Sequence, residues 1–296
     1  MSIFKGSGVA IITPFKENGV DFDKLRELVE WHIENKTDAI IVCGTTGEAS
    51  TMSESERRET IKFVVDTVNK RIPVIAGTGS NNTAASIEMS KYAESVGADG
   101  LLVINPYYNK TSAKGLIEHF KAIAGSVNTP IVVYNVPSRT GMNITPKALY
   151  ELCKIPNITA VKEASGNISQ VAEIKALCGD KLDIYSGNDN EILPTLAIGG
   201  IGIISVLANI IPKDVHDICE LFMNGEIKRS QELFLKTIPL TNALFIETNP
   251  IPVKTALNLM GKNPGKLRLP LVDMAEDTLK VLKAELENYN IHIKED

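Results

Sequence analysis

The chain has 296 residues, 44% hydrophobic and 23% charged, the composition of a folded globular protein large enough to bury a core without disulfide or metal staples. Its formal net charge of −5 argues against the basic face that a nucleic-acid binder carries. No basic-flanked apolar leader follows Met1, and no run approaches the ~18 apolar residues of a membrane span, so a cytoplasmic protein with no nucleic-acid or membrane partner is expected.

Short β-branched runs alternate with longer amphipathic ones. Val9–Thr13 reads as the first strand, stopped by Pro14, and Phe22–Glu34 as a helix with Leu25, Leu28, Val29 and His32 at helical spacing. Ala39–Cys43 is the second strand. Ser53-Glu54-Ser55-Glu56 is a capping-box pattern opening the next helix. Pro73–Ala76 and Gly100–Ile104 are the third and fourth strands, followed by helices over Thr83–Val96 and Ser112–Ser126. Pro130–Tyr134 precedes a helix over Pro146–Cys153, and Ile158–Lys162 one over Ile168–Cys178. Leu182–Ser186 leads to a helix around Glu191–Ile198, and Gly202–Val206 to one over Lys213–Met223.

These strands are near-continuous apolar runs, as expected of parallel strands buried on both faces. Eight strand–helix units predict a closed (β/α)₈ TIM barrel over residues 1–224. A doubly wound open sheet is the alternative, but Gly77-Thr78-Gly79 lacks the third glycine of a dinucleotide fingerprint, Asn82 standing in its place. From Glu226 the pattern is helical only: Ile227–Phe245, a segment after Pro252, and Met274–Asn288, with Gly261–Pro270 as a connection. Residues 225–296 are therefore read as a C-terminal helical appendage. Cys43, Cys153, Cys178 and Cys219 form no CxxC pair, which suits a reducing compartment, and His32, His119, His216 and His292 have no metal-ligand spacing, so no metal site is expected.

Barrel chemistry gathers at the C-terminal ends of the strands. Lys162 is the anomaly there, because an ammonium is costly to bury at the end of an apolar strand, whereas a neutral amine attacks a ketone to form an imine. The bland reading is a lysine that escapes to solvent or pairs with Glu163. Tyr134 ends the adjacent strand, close enough to shuttle protons, although alone it reads as a packing tyrosine. Thr45 and Thr46 sit in a Gly-flanked turn, offering hydroxyls and N–H groups to a carboxylate or, more plainly, capping the following helix. Arg139 follows the fifth strand and suits bidentate carboxylate binding. The ends of strands seven and eight, Ser186–Asp189 and Leu207–Ile210, are not phosphate-like, so a non-phosphorylated substrate is preferred.

Gly44–Glu48, Tyr134–Gly141, Lys162–Gly166 and Asn249–Lys254 together resemble the dihydrodipicolinate synthase family, among the class I pyruvate aldolases that include N-acetylneuraminate lyase. The resemblance spans about Phe4 to Leu286. It implies that Lys162 forms a Schiff base with pyruvate, whose enamine attacks L-aspartate 4-semialdehyde in the diaminopimelate route to lysine. It implies Tyr134 as proton donor and acceptor, with Thr45 and Tyr108 completing a relay, Tyr108 reaching in from a neighbouring subunit. Thr46 would bind the pyruvate carboxylate, Gly187 and Ile204 would offer main-chain contacts, and Arg139 would hold the semialdehyde carboxylate. No metal or organic cofactor is implied, and the assembly would be a homotetramer built as a dimer of dimers. At two positions where lysine-inhibited members carry a histidine or similar residue and a glutamate, this chain has Arg57 and Ala85, so feedback inhibition is expected to be weak or absent. A sister aldolase acting on a sugar acid and a non-catalytic keto-acid sensor are the competing readings. Arg139 argues against the first, and the Lys162–Tyr134–Thr45 set against the second.

Overall fold

The apolar runs pair with their sequence neighbours and close on themselves. In the computed structural model, which describes residues 2–294, eight parallel strands form the barrel: β1 Gly6–Ala10, β2 Ala39–Val42, β3 Val74–Gly77, β4 Gly100–Ile104, β5 Ile131–Asn135, β6 Ile158–Glu163, β7 Asp183–Ser186 and β8 Gly202–Ser205. β1 pairs with both β2 and β8, which completes the closure and leaves no free edge. The intervening helices are α1 Phe22–Glu34, α2 Glu54–Val68, α3 Thr83–Ser95, α4 Ala113–Ala124, α5 Pro146–Leu152, α6 Ile168–Cys178, α7 Ile192–Ala197 and α8 Pro212–Met223. Side chains of Asp21, Ser53, Asn82, Ser112, Thr145 and Asn167 accept hydrogen bonds from first-turn N–H groups, so most βα loops end in a built N-cap. The capping box at Ser53 is complete, with Glu56 Oε2 accepting from the Ser53 N–H.

Alternation along the strands divides the core in two. Inward residues such as Ala10, Ile41, Ile75, Leu102, Val132 and Ile204 fill the barrel, while outward ones such as Val9, Ile40, Val103, Val133 and Val161 pack beneath the helices. The N-terminal end is plugged by Phe4, whose ring stacks on Tyr185 at 4.3 Å between centroids, while the Tyr185 hydroxyl donates to the Phe4 carbonyl at 2.7 Å.

The first strand lies three residues earlier than its apolar run. Gly6, Ser7 and Gly8 belong to it because the barrel is too crowded there for larger residues: a Cβ on Gly8 would lie 2.7 Å from both Phe4 and Ile41. Ile11 still gives its N–H to the Ile41 carbonyl, but Ile12 gives its own to Asn209 Oδ1. A hairpin pairing Phe15–Lys16 with Gly19–Val20, and a helical turn over Pro137–Thr140, were too short to show as periodicity.

Beyond the barrel lie α9 Ile227–Leu244, α10 Ile251–Leu259 and α11 Glu276–Asn288. α10 starts at Ile251, ahead of Pro252, because prolines are tolerated in a first turn where N–H groups lack intrahelical acceptors. Among the described residues no helix is long and apolar enough to cross a membrane.

The connection after α10 is pinned to the barrel, since Arg268 forks onto both oxygens of Glu56 at 2.6 and 2.9 Å. Hydrogen bonding from Arg268 holds the Glu56 carboxyl down at about 2, below its ordinary 4.5. A depressed carboxyl stabilises the fold at pH above the unfolded value, and that contribution is lost as pH falls from about 4.5 to about 2. Glu56→Gln should therefore lower the urea midpoint at pH 7 and flatten its acid-side decline. Parallel pH profiles for wild type and variant would contradict this linkage.

Candidate active site

Strand register sets the site. Across β5 and β6, Tyr134 is the Cα partner of Lys162 and Asn135 of Glu163, while β7 places Tyr185 on the other side of Lys162. Tyr134 and Lys162 both face the barrel interior at its C-terminal mouth and are 7% and 6% exposed. The Lys162 Nζ lies over the Tyr134 ring, 4.4 Å from its centroid.

The outward neighbours are tied to each other. Asn135 Nδ2 donates to both Glu163 oxygens at 3.1 and 3.0 Å, and Glu163 also accepts from the Ser165 N–H and Gln170 Nε2. Burial pushes the Glu163 carboxyl above its ordinary value, against the pull of these donors. A Lys162–Glu163 pair is thereby ruled out, because the two side chains point to opposite faces of β6.

Thr45, Thr46, Tyr134, Arg139, Lys162 and Gly187 line one pocket at the mouth. Gly187 is required by close approach: a Cβ there would lie 2.6 Å from Ala164 Cβ and 3.2 Å from Lys162 Cε. Ile204 packs in the barrel interior with its Tyr134 neighbours. Arg139 stands at the rim on the Pro137–Thr140 turn, with Nη2 donating to the Asn249 carbonyl at 2.9 Å. The threonines do not cap α2, which Ser53 does; instead Thr46 Oγ1 accepts from Asn249 Nδ2 at 3.0 Å. Tyr108 is not brought in within this chain. It is 92% exposed, at φ +67°. A second cavity opens from the same mouth toward Arg57 and Tyr107 and shares Thr45, Tyr134 and Arg139.

A buried carboxylate lies nearby. Asp189 accepts from Ser205 Oγ at 2.5 Å and from the Val206 and Leu207 N–H groups at 3.1 Å, and it feels the charge of Lys162. Burial raises its carboxyl above the ordinary value, outweighing these donors.

The arrangement is a buried amine beside a phenol, with two threonines and an arginine lining the same pocket. A model of the dihydrodipicolinate synthetase family matches residues 3–289 of the chain. The chain belongs to that family. It is similar to the 4-hydroxy-tetrahydrodipicolinate synthase of Clostridium novyi (strain NT), 66% identical over 290 residues and 98% of each chain. The crystal structure of dihydrodipicolinate synthase from Aquifex aeolicus superposes with a TM-score of 0.97 at 43% identity, covering 99% of this chain and all of that one. Another structure, the enzyme from Cyanidioschyzon merolae with lysine bound, gives 0.95 at 37% identity, covering 98% of this chain and 100% of that one.

Sequence reasoning missed the contribution of the C-terminal segment to this mouth. Asn249 and Phe245 line the pocket. Lys254 and Glu48 form an ion pair at 2.7 Å, with side chains 1% and 0% exposed, and the second Glu48 oxygen accepts from the Arg268 N–H at 3.0 Å. Glu48 sits at φ +53° in the turn that carries Thr45 and Thr46, so the pair fixes a conformation that a non-glycine residue rarely holds. The signal was present as a glutamate and a lysine in two motifs far apart, but nothing in their spacing announces contact. Removing one member of a buried pair leaves an uncompensated charge, so Lys254→Met should cost about 3–5 kcal/mol in chemical denaturation. The double change Glu48→Gln with Lys254→Met should restore much of that. Equal instability of the single and double variants would contradict the pairing account.

Proposed function

We propose that this chain condenses pyruvate with L-aspartate 4-semialdehyde to give 4-hydroxy-tetrahydrodipicolinate, using Lys162 as a Schiff-base nucleophile. The observation that carries this reading is the Lys162 amine, buried over the Tyr134 ring with no carboxylate oxygen within 4.0 Å among the described residues. A neutral amine so placed attacks the pyruvate ketone carbon, and the carbinolamine loses water to give an imine. Loss of a methyl proton gives the enamine, whose carbon attacks the aldehyde of the second substrate. The new amine-bearing chain closes on the imine carbon and releases Lys162.

Tyr134 supplies and removes the protons of these steps, with Thr45 and Tyr108 as a relay. Tyr108 acts from a neighbouring subunit in a tetramer built from pairs of dimers, a reading supported by its exposure at a left-handed turn. Thr46 binds the pyruvate carboxylate, Gly187 and Ile204 offer main-chain contacts, and Arg139 at the rim holds the semialdehyde carboxylate. We place the chemistry on residues 1–224, with 225–296 as the appended unit, in a cytoplasmic enzyme of the diaminopimelate route.

Turnover is followed by coupling the product to the downstream NADPH-dependent reductase. Wild type should consume NADPH only when both substrates are present, and borohydride should trap its pyruvate adduct. Lys162→Ala should abolish both signals, and Tyr134→Phe should cut kcat by about 10²–10⁴. A trapped adduct that survives in Lys162→Ala would sink the assignment.

Lysine should inhibit weakly or not at all. Arg57, whose Nη2 donates to the Gly77 carbonyl at 2.9 Å, puts a cation in the second cavity, and exposed Ala85 offers no acceptor for an ammonium. Strong inhibition at modest lysine concentration in the same assay would overturn this expectation.

A further inference from the structure

Asn249 joins both carboxylate-binding arms of the site and comes from outside the barrel. Its side-chain Nδ2 donates to Thr46 Oγ1 at 3.0 Å, and its backbone carbonyl accepts from Arg139 Nη2 at 2.9 Å. The residue is 5% exposed, lines the Lys162 pocket, and leaves its Oδ1 buried with no partner.

A threonine hydroxyl has one hydrogen to give. When Oγ1 accepts from an amide, one lone-pair direction is filled and its own hydrogen is turned toward the remaining acceptors. In this pocket the incoming acceptor is the keto acid's carboxylate. An aspartate in place of Asn249 would reverse the polarity: a carboxylate only accepts, so it would draw the Thr46 hydrogen to itself and add a negative charge beside the substrate's own.

We propose that Asn249 is a positioning residue which orients the Thr46 hydroxyl to donate to the pyruvate carboxylate, while its backbone carbonyl separately aims Arg139. This rests on the synthase reading above. It divides the residue's work by atom, so the two substrates respond differently to a side-chain change. The Arg139 arm uses the main chain and survives any substitution that keeps the loop. The Thr46 arm does not.

The test is steady-state kinetics of Asn249→Asp and Asn249→Ala with each substrate varied in turn. Loss of a hydrogen bond to a charged group should raise the pyruvate KM by about 10- to 100-fold in Asn249→Asp and about tenfold in Asn249→Ala. The semialdehyde KM should stay within about threefold of wild type, since the Arg139 arm is untouched. In a Thr46→Val background, where the hydroxyl is gone, Asn249→Ala should leave the pyruvate KM unchanged.

Asn249→Asp preserves size and shape, so it carries the test if the alanine variant proves unstable in a thermal melt. An Asn249→Asp enzyme with a wild-type pyruvate KM overturns the proposal, as does an equal rise in both KM values or a full Asn249→Ala effect in the Thr46→Val background. Wild type that traps no pyruvate adduct under borohydride would instead overturn the synthase reading beneath it.

Discussion

The structure depends on one geometric constraint, the two-residue repeat of strands in a closed parallel barrel. Each strand end must send one side chain into the mouth and the next into the layer beneath the helices. At the ends of β5 and β6 the inward pair is Tyr134 and Lys162, and the outward pair is Asn135 and Glu163. The outward pair is hydrogen-bonded across the strands and onward to Gln170 at the start of α6. The same register that brings the phenol to the amine is thus locked from behind by a buried carboxamide–carboxylate network. A one-residue slip would exchange the two pairs, placing a carboxylate in the mouth and burying a lysine under the helices.

The barrel alone does not finish its mouth. The loop after β2 carries Thr45 and Thr46, and its far end at Glu48 is held by Lys254 and the Arg268 N–H, both from the C-terminal segment. The Phe15 ring is close to both of their cations, with Lys254 Nζ 4.3 Å and Arg268 Cζ 3.9 Å from its centroid. Asn249 adds its bonds to Thr46 and Arg139. The appended helices therefore act on the site through contacts to loops, and the site's shape is coupled to the docking of a segment that contributes no strand.

The sequence carried the barrel because its evidence is local and repeated: eight apolar runs, each followed by a helix, most of them capped. It carried Lys162 and Tyr134 because a lysine at the end of an apolar strand is anomalous in itself, and strand order supplies its neighbour. It misplaced β1, since Gly6–Gly8 enter the strand for steric reasons that hydrophobicity does not record. It left Glu163 as a partner for Lys162, which only the pleat resolves. It gave no hint of Asp189 as a buried carboxylate, because the donors that satisfy it are a hydroxyl and N–H groups from the next strand end. Long-range polar contacts of this kind, like Lys254–Glu48 across 206 positions, have no periodicity to read.

The chain buries two lysines at this mouth, and their surroundings divide their roles. Lys254 is 1% exposed and committed to Glu48, and burial still draws its ammonium below the ordinary lysine range while the carboxylate pulls the other way. Its Nζ is turned to Glu48 Oε1 and the Phe15 ring. Lys162 is 6% exposed, faces the pocket, and has the Tyr134 ring in place of an ion-pair partner. A ring face attracts a cation without taking its proton or blocking its lone pair. The buried Asp189 carboxyl feels the Lys162 charge through the intervening protein. The barrel puts its buried salt bridge behind the Thr45–Thr46 turn, at the Glu48 end of that loop, and leaves Lys162 facing the pocket.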